Sequence, residues 1–387
     1  MENKNEWRKV KLGEIGEIIS GGTPKTSIKE YWNGNISWLT PKDFSNKNSK
    51  YWTRGERNIT KEGLENSSAK LLPKGTVLFT SRAPIGYIGI SKADLCTNQG
   101  FKNIIVNEEN SNEFIYYLLK FITPQIINIA GGSTFKEISA TALRDFEVYI
   151  PKSKKYQEKI AKILSDIDEK IELNNKINDN LEKQAQLIFK SWFIDFEPFN
   201  KEIPSDWRIS TLEEITNLIA GGDKPQNFSD VKTKKYNVPI FSNGIVQNGL
   251  YGYTDTAKIF DESVTVSARG TIGFVCLREI PYVPIVRLIS IIPKNNIISA
   301  KFLYLWLKNI NIQGTGSTQQ QLTIPEFKKT KILVPNEKNM KKFTNLIKPL
   351  FEKIGKNNIE NKKLSNLKNY LLPKLMNGEI DVENIGL

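Results

Sequence analysis

Histidine is absent from the 387 residues of this chain, and cysteine occurs only at Cys96 and Cys276. Without histidine the chain has no imidazole for acid–base catalysis, for a histidine-containing triad or for metal ligation. Two cysteines are too few for a cysteine-only zinc site, and unpaired thiols are typical of buried residues in a reducing compartment. The sequence therefore predicts neither a metal site nor a disulfide framework.

Long apolar runs are also missing. The chain opens with the polar segment MENKNEWRK, and no uncharged segment approaches the length that spans a membrane. We therefore expect a cytoplasmic protein. The chain also lacks a glycine-rich phosphate loop ending in Lys-Ser/Thr, a Gly-x-Gly-x-x-Gly motif after a strand, and an Asn-Pro-Pro-aromatic motif for amino methylation. An acidic nuclease site stays open, because carboxylates are plentiful.

Positive charge is in excess, with 55 Lys and Arg against 42 Asp and Glu and a net charge of +13. This surplus favours a polyanionic partner such as DNA or RNA, although a lysine-rich surface without any partner is equally compatible with it. A chain of 387 residues is expected to form two globular units rather than one.

The chain contains an internal repeat. Residues 7–15 (WRKVKLGEI) align with residues 207–215 (WRISTLEEI) at a displacement of 200, and Gly21-Gly22 aligns with Gly221-Gly222. Further matches follow in the same order: Arg82-x-x-Ile85-Gly86 with Arg269-x-x-Ile272-Gly273, residues 113–120 with 301–308, 132–134 with 316–318, and Pro151 with Pro335. Ordered matches with a drifting displacement indicate a divergent duplication.

Each repeat begins with a mixed segment and ends in a long helical segment. The mixed segments combine strand-like runs such as residues 76–80 with a short helix around Tyr116 or Tyr304, which predicts an α+β domain. The predicted boundaries are residues 1–151 for the first domain, 152–198 for a central helix, 199–335 for the second domain, and 336–387 for a C-terminal helix and tail.

Both helical segments carry an apolar stripe with a period of 3.5 residues, which predicts a coiled-coil seam. Its positions in the first helix are Ile160, Leu164, Ile167, Ile171, Asn174, Asn178, Leu181, Ala185 and Ile188. Those in the second helix are Phe343, Ile347, Leu350, Ile354, Asn357, Asn361, Leu364, Lys368 and Leu371. The alternative is a pair of amphipathic surface helices, each packed on its own domain.

The linker length predicts the direction of the helices. Residues 194–206 span at most about 45 Å, whereas a helix of roughly 40 residues is about 60 Å long. The second domain is therefore expected near the far end of the first helix, and the second helix returns antiparallel to it. Asn174 and Asn357 would then meet near the middle of a rod that carries one domain at each end, related by an approximate two-fold axis. Two unlike domains would suit a duplex with two different half-sites.

Five ordered stretches resemble the specificity subunits of type I restriction–modification enzymes. The opening is residues 21–24 (GGTP) with 31–43, and the others are residues 97–101 (TNQGF), 157–171, 190–198 and 371–380. The resemblance covers nearly the whole chain. The second domain departs from the pattern, because Gly221-Gly222-Asp223-Lys224-Pro225 lacks the Thr-Pro pair and no Asn-Gln-Gly-Phe occurs there.

The resemblance implies a non-catalytic subunit with two target-recognition domains that binds double-stranded DNA and no cofactor. It also implies assembly with two methyltransferase subunits, which use S-adenosylmethionine to methylate adenine. Restriction subunits that translocate DNA with ATP and Mg²⁺ would complete the nuclease. The paired helices would contact the methyltransferase subunits and set the gap between the half-sites.

Candidate DNA contacts are polar side chains able to read base edges or hold phosphates. In the first domain they are Thr23, Lys25, Lys42, Ser81, Arg82, Gln99, Lys102, Ser133, Thr134 and Lys136. In the second they are Lys224, Gln226, Asn243, Arg269, Arg287, Ser317, Thr318, Gln319, Gln320 and Gln321.

Each group of candidates also has a structural interpretation. The arginines of the Arg-x-x-Ile-Gly turns would satisfy carbonyl groups, and the paired glycines would supply a positive φ. Trp32, Trp38, Trp192 and Trp306 are predicted to be core or interface anchors, and the lysine-rich face of residues 152–162 to be solvated. Two other functions stay open at this point: a free-standing bipartite DNA-binding regulator and a nuclease.

Overall fold

The computed structural model of the chain describes residues 7–46, 49–132, 136–294, 298–314 and 321–383. They pack as two compact units, one formed by Met1–Leu173 with Ile359–Leu387 and the other by Asn174–Asn358. Packing therefore divides the chain within its two long helices, whereas the predicted boundaries mark where the local character of the sequence changes.

The first repeat alternates short strands and helices before it enters a long helix. Its strands are β1 (Trp7–Lys11), β2 (Gly16–Ser20), β3 (Trp32–Leu39), β4 (Tyr51–Trp52), β5 (Arg57–Ile59), β6 (Val77–Ser81), β7 (Ile85–Ser91), β8 (Cys96–Thr97), β9 (Lys102–Val106) and β10 (Glu147–Pro151). Its helices are α1 (Leu12–Ile15), α2 (Pro41–Asn46), α3 (Lys61–Glu65), α4 (Asn112–Ile129), α5 (Ala140–Arg144) and the long α6 (Lys154–Phe193).

The second repeat follows the same plan with fewer strands among the described residues. Its strands are β11 (Arg208–Thr211), β12 (Thr216–Ala220), β13 (Val238–Phe241), β14 (Leu250–Thr254), β15 (Ser263–Val266), β16 (Val275–Arg278), β17 (Val283–Pro284), β18 (Ile289–Pro293) and β19 (Lys331–Val334). Its helices are α7 (Leu212–Ile215), α8 (Ala300–Asn309), α9 (Ile324–Phe327) and the long α10 (Glu337–Met376).

Sheet topology repeats between the units. The main sheet has the order β2-β9-β6-β7-β4 in the first unit and β12-β18-β15-β16 in the second. A smaller sheet has the order β5-β3-β8 or β14-β13-β17, and the first and last strands of each domain pair antiparallel as β1-β10 or β11-β19. Within the smaller sheets β3 pairs parallel with β8, and β13 pairs parallel with β17. The predicted α+β duplication is confirmed.

A serine begins the equivalent helix that packs on each main sheet. The Ser111 hydroxyl accepts a hydrogen bond from the Phe114 amide (3.3 Å) at the start of α4, and Ser299 does the same for Phe302 (3.1 Å) at the start of α8. Such caps satisfy amides that have no partner within the first helical turn. The predicted helices around Tyr116 and Tyr304 are therefore confirmed, and a serine caps the N-terminus of each.

The long helices contribute to the core of each domain. In the first unit, Ile160 and Leu164 of α6 and Leu375 of α10 are at most 1% exposed and belong to the cluster that contains Phe79 and Tyr117. In the second unit, Phe189 of α6 and Phe343 of α10 pack into the cluster of Val264 and Leu303. Each core therefore contains side chains from both long helices, so neither helix packs only on its own domain.

The two helices run antiparallel where they pair. In the first unit the Tyr156 hydroxyl donates to Asp381 (3.0 Å), and Asp168 pairs with Lys368. A residue later in α6 therefore contacts a residue earlier in the C-terminal segment, as expected of antiparallel helices. All predicted seam residues are buried or partly buried.

Asparagines lie in the seam of the second unit. Asn174 and Asn357 are each 1% exposed, and the Asn357 amide donates to Asn178 Oδ1 (2.8 Å). A polar pair at seam positions favours one register over its neighbours, because a shifted register would bury these amides without partners.

A charged layer joins α4 to α6 in the first unit. The Tyr117 hydroxyl donates to Asp168 (2.9 Å), and the Lys50 ammonium donates to Ser165 Oγ (2.9 Å) and pairs with Glu113. Lys120 lies beside this layer, 4.5 Å from the Tyr116 ring centroid. Burial lowers the pKa of Lys120 to about 8, and Asp168 only partly opposes the shift.

We expect Lys120→Met to stabilise the first unit at pH 7 by on the order of 1 kcal/mol, because the substitution removes a partly buried charge. The unfolded lysine keeps a pKa of about 10.4, so the unfolded chain binds more protons between pH 8 and pH 10. The wild type thus regains stability in that range, and the advantage of the variant should shrink. Urea unfolding at pH 7 and at pH 9.5 measures both effects.

Lys308→Met is the matched control, since Lys308 occupies the equivalent position of α8 and pairs with Glu182 (3.5 Å). It should give no stabilisation at either pH. A gain from Lys120→Met that is the same at both pH values would contradict the buried-charge explanation.

Candidate nucleic-acid interface

Three loops of the first unit meet at one end of the main sheet. The loop after β2 contacts residues 97–101, since the Gly22 amide donates to the Thr97 carbonyl (2.9 Å) and the Thr23 hydroxyl bonds to the Gln99 side-chain oxygen. The turn after β6 joins them, because the Ser81 amide donates to the Gly100 carbonyl (2.7 Å). Thr23, Ser81 and Gln99 are thus brought together from distant parts of the chain.

Glu137 connects two further candidates of this surface. Its carboxylate pairs with Arg82 Nη1 (3.3 Å) and Lys102 Nζ (3.7 Å). Burial lowers the pKa of Lys102, and Glu137 opposes that shift. The partner that the structure describes for Arg82 is therefore a carboxylate group and not a backbone carbonyl group.

Equivalent loops converge in the second unit. The Asn243 side chain accepts a hydrogen bond from the Ala268 amide (2.8 Å) and donates one to the Val286 carbonyl (2.5 Å). Arg269 Nη2 donates to Gln321 Oε1 (2.9 Å), and Arg287 is exposed on the neighbouring loop. Asn243, Arg269, Arg287 and Gln321 therefore share one surface.

The two arginine turns differ in charge. The Ile138 amide donates to the Ser81 carbonyl (3.1 Å), and the Leu322 amide donates to the Ala268 carbonyl (3.0 Å), so Glu137 and Gln321 occupy equivalent positions just before them. Arg82 is neutralised by Glu137, whereas Arg269 keeps its full charge beside Gln321. Because Glu137 also pairs with Lys102, the two surfaces differ here in the partner of the arginine, which is a carboxylate in the first and a neutral amide in the second.

Two candidates differ from the expectation of surface contact. Ser81 is fully buried and its hydroxyl donates to the Gly100 carbonyl (3.1 Å), while Lys102 is only 8% exposed and pairs with Glu137. Both side chains hold the loops in place instead of facing solvent. Sequence alone does not separate these roles, because a polar residue after a strand suits either.

The remaining candidates among the described residues have exposed side chains. Lys42 pairs with Glu56 (3.4 Å), Lys136 donates to the Ile127 carbonyl (3.2 Å), and Lys224 lies 3.8 Å from the Phe228 ring centroid. Lys25 and Gln226 are also exposed. Ser133, Thr134, Ser317, Thr318, Gln319 and Gln320 lie outside the described residues, so their assignment stays a prediction.

Three of the four paired glycines allow a close approach of backbone segments. Gly21, Gly22, Gly221 and Gly222 are not among the residues with positive φ, so that explanation is wrong. A Cβ on Gly21 would lie 2.0 Å from the Asn98 carbonyl oxygen, and one on Gly221 would lie 2.7 Å from the Ile285 amide nitrogen. Gly21 and Gly221 therefore let the loop after β2 or β12 pass directly against the loop after β8 or β17.

The tryptophans follow their predicted structural role. Trp32 and Trp38 are at most 7% exposed and pack edge to face with centroids 5.0 Å apart. Trp192 and Trp306 pack against the core of the second unit.

Both cysteines are buried, and no cluster of His, Cys, Asp or Glu among the described residues could hold a metal ion. Nor is any helix in the described part of the chain long and apolar enough to cross a membrane.

Duplicated α+β domains with polar loops at equivalent positions define a recognition protein built from two related modules. A family model described as type I restriction modification DNA specificity domain matches the chain twice, over residues 4–183 and 204–369. The chain therefore belongs to the family of type I restriction–modification specificity subunits, the non-catalytic components that give such systems their DNA specificity.

Individual relatives agree with this assignment. The type I restriction enzyme MjaIX specificity subunit of Methanocaldococcus jannaschii is 36% identical over 98% of this chain and 95% of its own length. The HindI specificity subunit of Haemophilus influenzae is 25% identical over 97% of this chain and 100% of its own. The crystal structure of a type I S subunit from M. genitalium shares the fold, with a TM-score of 0.60, 20% identity and 97% of each chain covered.

Exchanging the acidic and amide partners of the two arginines tests their role in binding. We expect Gln321→Glu to weaken the affinity of the chain for duplex DNA of random sequence, because the new carboxylate neutralises Arg269. If Arg269 contacts a phosphate, the slope of log affinity against log salt becomes shallower by about 1. Titration of a fluorescent duplex at several salt concentrations measures both quantities.

Glu137→Gln is the reciprocal control and should strengthen the binding by freeing Arg82 and Lys102. Unchanged affinity in both variants would show that neither arginine turn faces the DNA.

Proposed function

We propose that this chain reads a bipartite, asymmetric DNA site, with one recognition domain for each half-site. The observation that carries the proposal is the equivalence of two loop surfaces that differ in chemistry: an arginine neutralised by Glu137 in one domain and an arginine beside neutral Gln321 in the other. Domains of one topology with different contact side chains read different bases, because a base is recognised by the pattern of its donors and acceptors.

We further propose that the chain assembles with two methyltransferase subunits through the outer faces of α6 and α10. The outer faces carry large apolar side chains that remain exposed in the chain alone, among them Leu187 of α6 (65%) and Tyr370 of α10 (61%). Apolar side chains on an otherwise lysine-rich helix surface favour a protein partner over solvent. The helical segments would also set the gap between the half-sites.

Chemistry would then reside in the partners. The methyltransferase subunits would bind S-adenosylmethionine, restriction subunits would use ATP and Mg²⁺, and this chain would bind neither cofactor. The chain has no glycine-rich phosphate loop ending in Lys-Ser/Thr and no Asn-Pro-Pro-aromatic motif, which supports that division of labour. A cytoplasmic location agrees with a complex that acts on cellular DNA.

Exchange of residues 7–151 for the first domain of another specificity subunit tests whether each domain recognises its half-site independently. In a complex with its methyltransferase, the chimera should methylate a site with one new half and one unchanged half, because each domain has its own core and its own loops. Sequencing of methylated adenines across the host genome gives both halves at once.

A chimera with residues 207–335 exchanged should change the opposite half. A target altered in both halves by one exchange would show that the domains do not read independently, and a wild-type chain that binds no methyltransferase would favour a free-standing regulator.

A further inference from the structure

Residues 284–288 of the second domain correspond to residues 97–101 of the first, although the two sequences, PIVRL and TNQGF, share no residue. Each segment begins in a strand that pairs parallel with the middle strand of the smaller sheet. These two segments form loop 284–288 and loop 97–101.

Matching backbone hydrogen bonds fix the alignment of the two loops. The Gly21 amide donates to the Phe101 carbonyl (3.2 Å), and the Gly221 amide donates to the Leu288 carbonyl (2.8 Å). The bond at the start of each loop is also shared, because the amides of Asn98 and Ile285 donate to the last residues of β3 and β13 (2.9 and 2.8 Å). In this alignment Gln99 is equivalent to Val286, and Gly100 is equivalent to Arg287.

The backbone of loop 284–288 holds two side chains toward solvent in an uncommon conformation. Val286 and Arg287 have φ of 51° and 60°, in the left-handed region that a β-branched residue rarely adopts. The Val286 amide donates to the Gly222 carbonyl (2.9 Å), and the Arg287 amide donates to the Gly221 carbonyl (3.0 Å). Asn243 completes the support by donating to the Val286 carbonyl (2.5 Å).

Both side chains are available for a ligand. Val286 is 51% exposed, Arg287 is also exposed, and Arg287 forms no ion pair with any residue that the structure describes. Packing does not require an apolar group at position 286, since the isopropyl group faces solvent. A conformation that costs on the order of 1–3 kcal/mol is thus maintained to present these two groups on a rigid loop.

We propose that Val286 and Arg287 determine the specificity of the second domain, and that Gln99 does so in the first domain at the equivalent position. The Arg287 guanidinium would donate to O6 and N7 of a guanine, and the Val286 methyl groups would contact the 5-methyl group of a thymine. The Gln99 amide suits adenine, to which it can both donate and accept. This assignment rests on the proposed bipartite recognition.

The test uses the complete complex with its methyltransferase and a library of randomised target sites, read out by sequencing of the methylated adenines. We expect Arg287→Ala to reduce discrimination at one base pair of the second half-site by about tenfold or more. Arg287→Lys should retain overall methylation but lose the same discrimination, because lysine lacks the guanidinium fork. Val286→Ala should weaken the preference for thymine at an adjacent position.

Two controls make the result specific. Gln99→Ala should alter only the first half-site, and Val231→Ala, which removes an exposed (66%) side chain elsewhere in the second domain, should leave the whole target unchanged. Thermal unfolding of each variant and its co-purification with the methyltransferase show that the chain is folded.

The inference is overturned if the wild-type complex methylates a bipartite site and Arg287→Ala and Arg287→Lys leave the second half-site as selective as before. An equal loss of methylation at all target sequences would likewise overturn the inference, because that result identifies a contact with phosphate. If the wild type shows no bipartite target, the proposed function itself has failed.

Discussion

The structure depends on the sharing of two helices between two hydrophobic cores. Ile160 of α6 and Leu375 of α10 are buried with the first domain, and Phe189 of α6 and Phe343 of α10 are buried with the second. Burial of a large apolar side chain stabilises a domain by roughly 1.5–3 kcal/mol. The domains are therefore stabilised by helices that lie in separate parts of the sequence, and the helices are stabilised as a pair.

This constraint separates the scaffold from the side chains that we propose to contact DNA. Backbone hydrogen bonds and close glycine contacts fix the loops, while the side chains on them are free to differ, as Gln99 and Val286 do. Glu137 and Gln321 show the same freedom at another position, where one domain has an ion pair and the other a neutral hydrogen bond. Sequence divergence on a fixed backbone is a physical route to two reading surfaces from one duplicated domain.

Sequence predicted the features that have a local period or a recurring motif. The seam residues were identified because apolar side chains recur every 3.5 residues, and the duplication because Arg82 and Arg269 occur in similar turns. Sequence identified Arg287 as a candidate but not Val286 or the correspondence of loop 284–288 with loop 97–101, because backbone groups stabilise the shape of this loop and leave no residue pattern. The buried position of Ser81 and the close contacts of Gly21 were equally hidden, since both depend on neighbours far away in the chain.

The direct test of the shared-core account compares two substitutions on α10 in the full-length chain. Leu375 is 1% exposed in the core of the first unit, whereas Leu367 on the same helix is 45% exposed. An aspartate at the buried position would cost ~3 kcal/mol or more. Hydrogen exchange should therefore show loss of protection in α4 for Leu375→Asp, with protection in β15 and β18 retained, and no change for Leu367→Asp. Full protection of α4 in Leu375→Asp would contradict the claim that the distant helix completes the first domain.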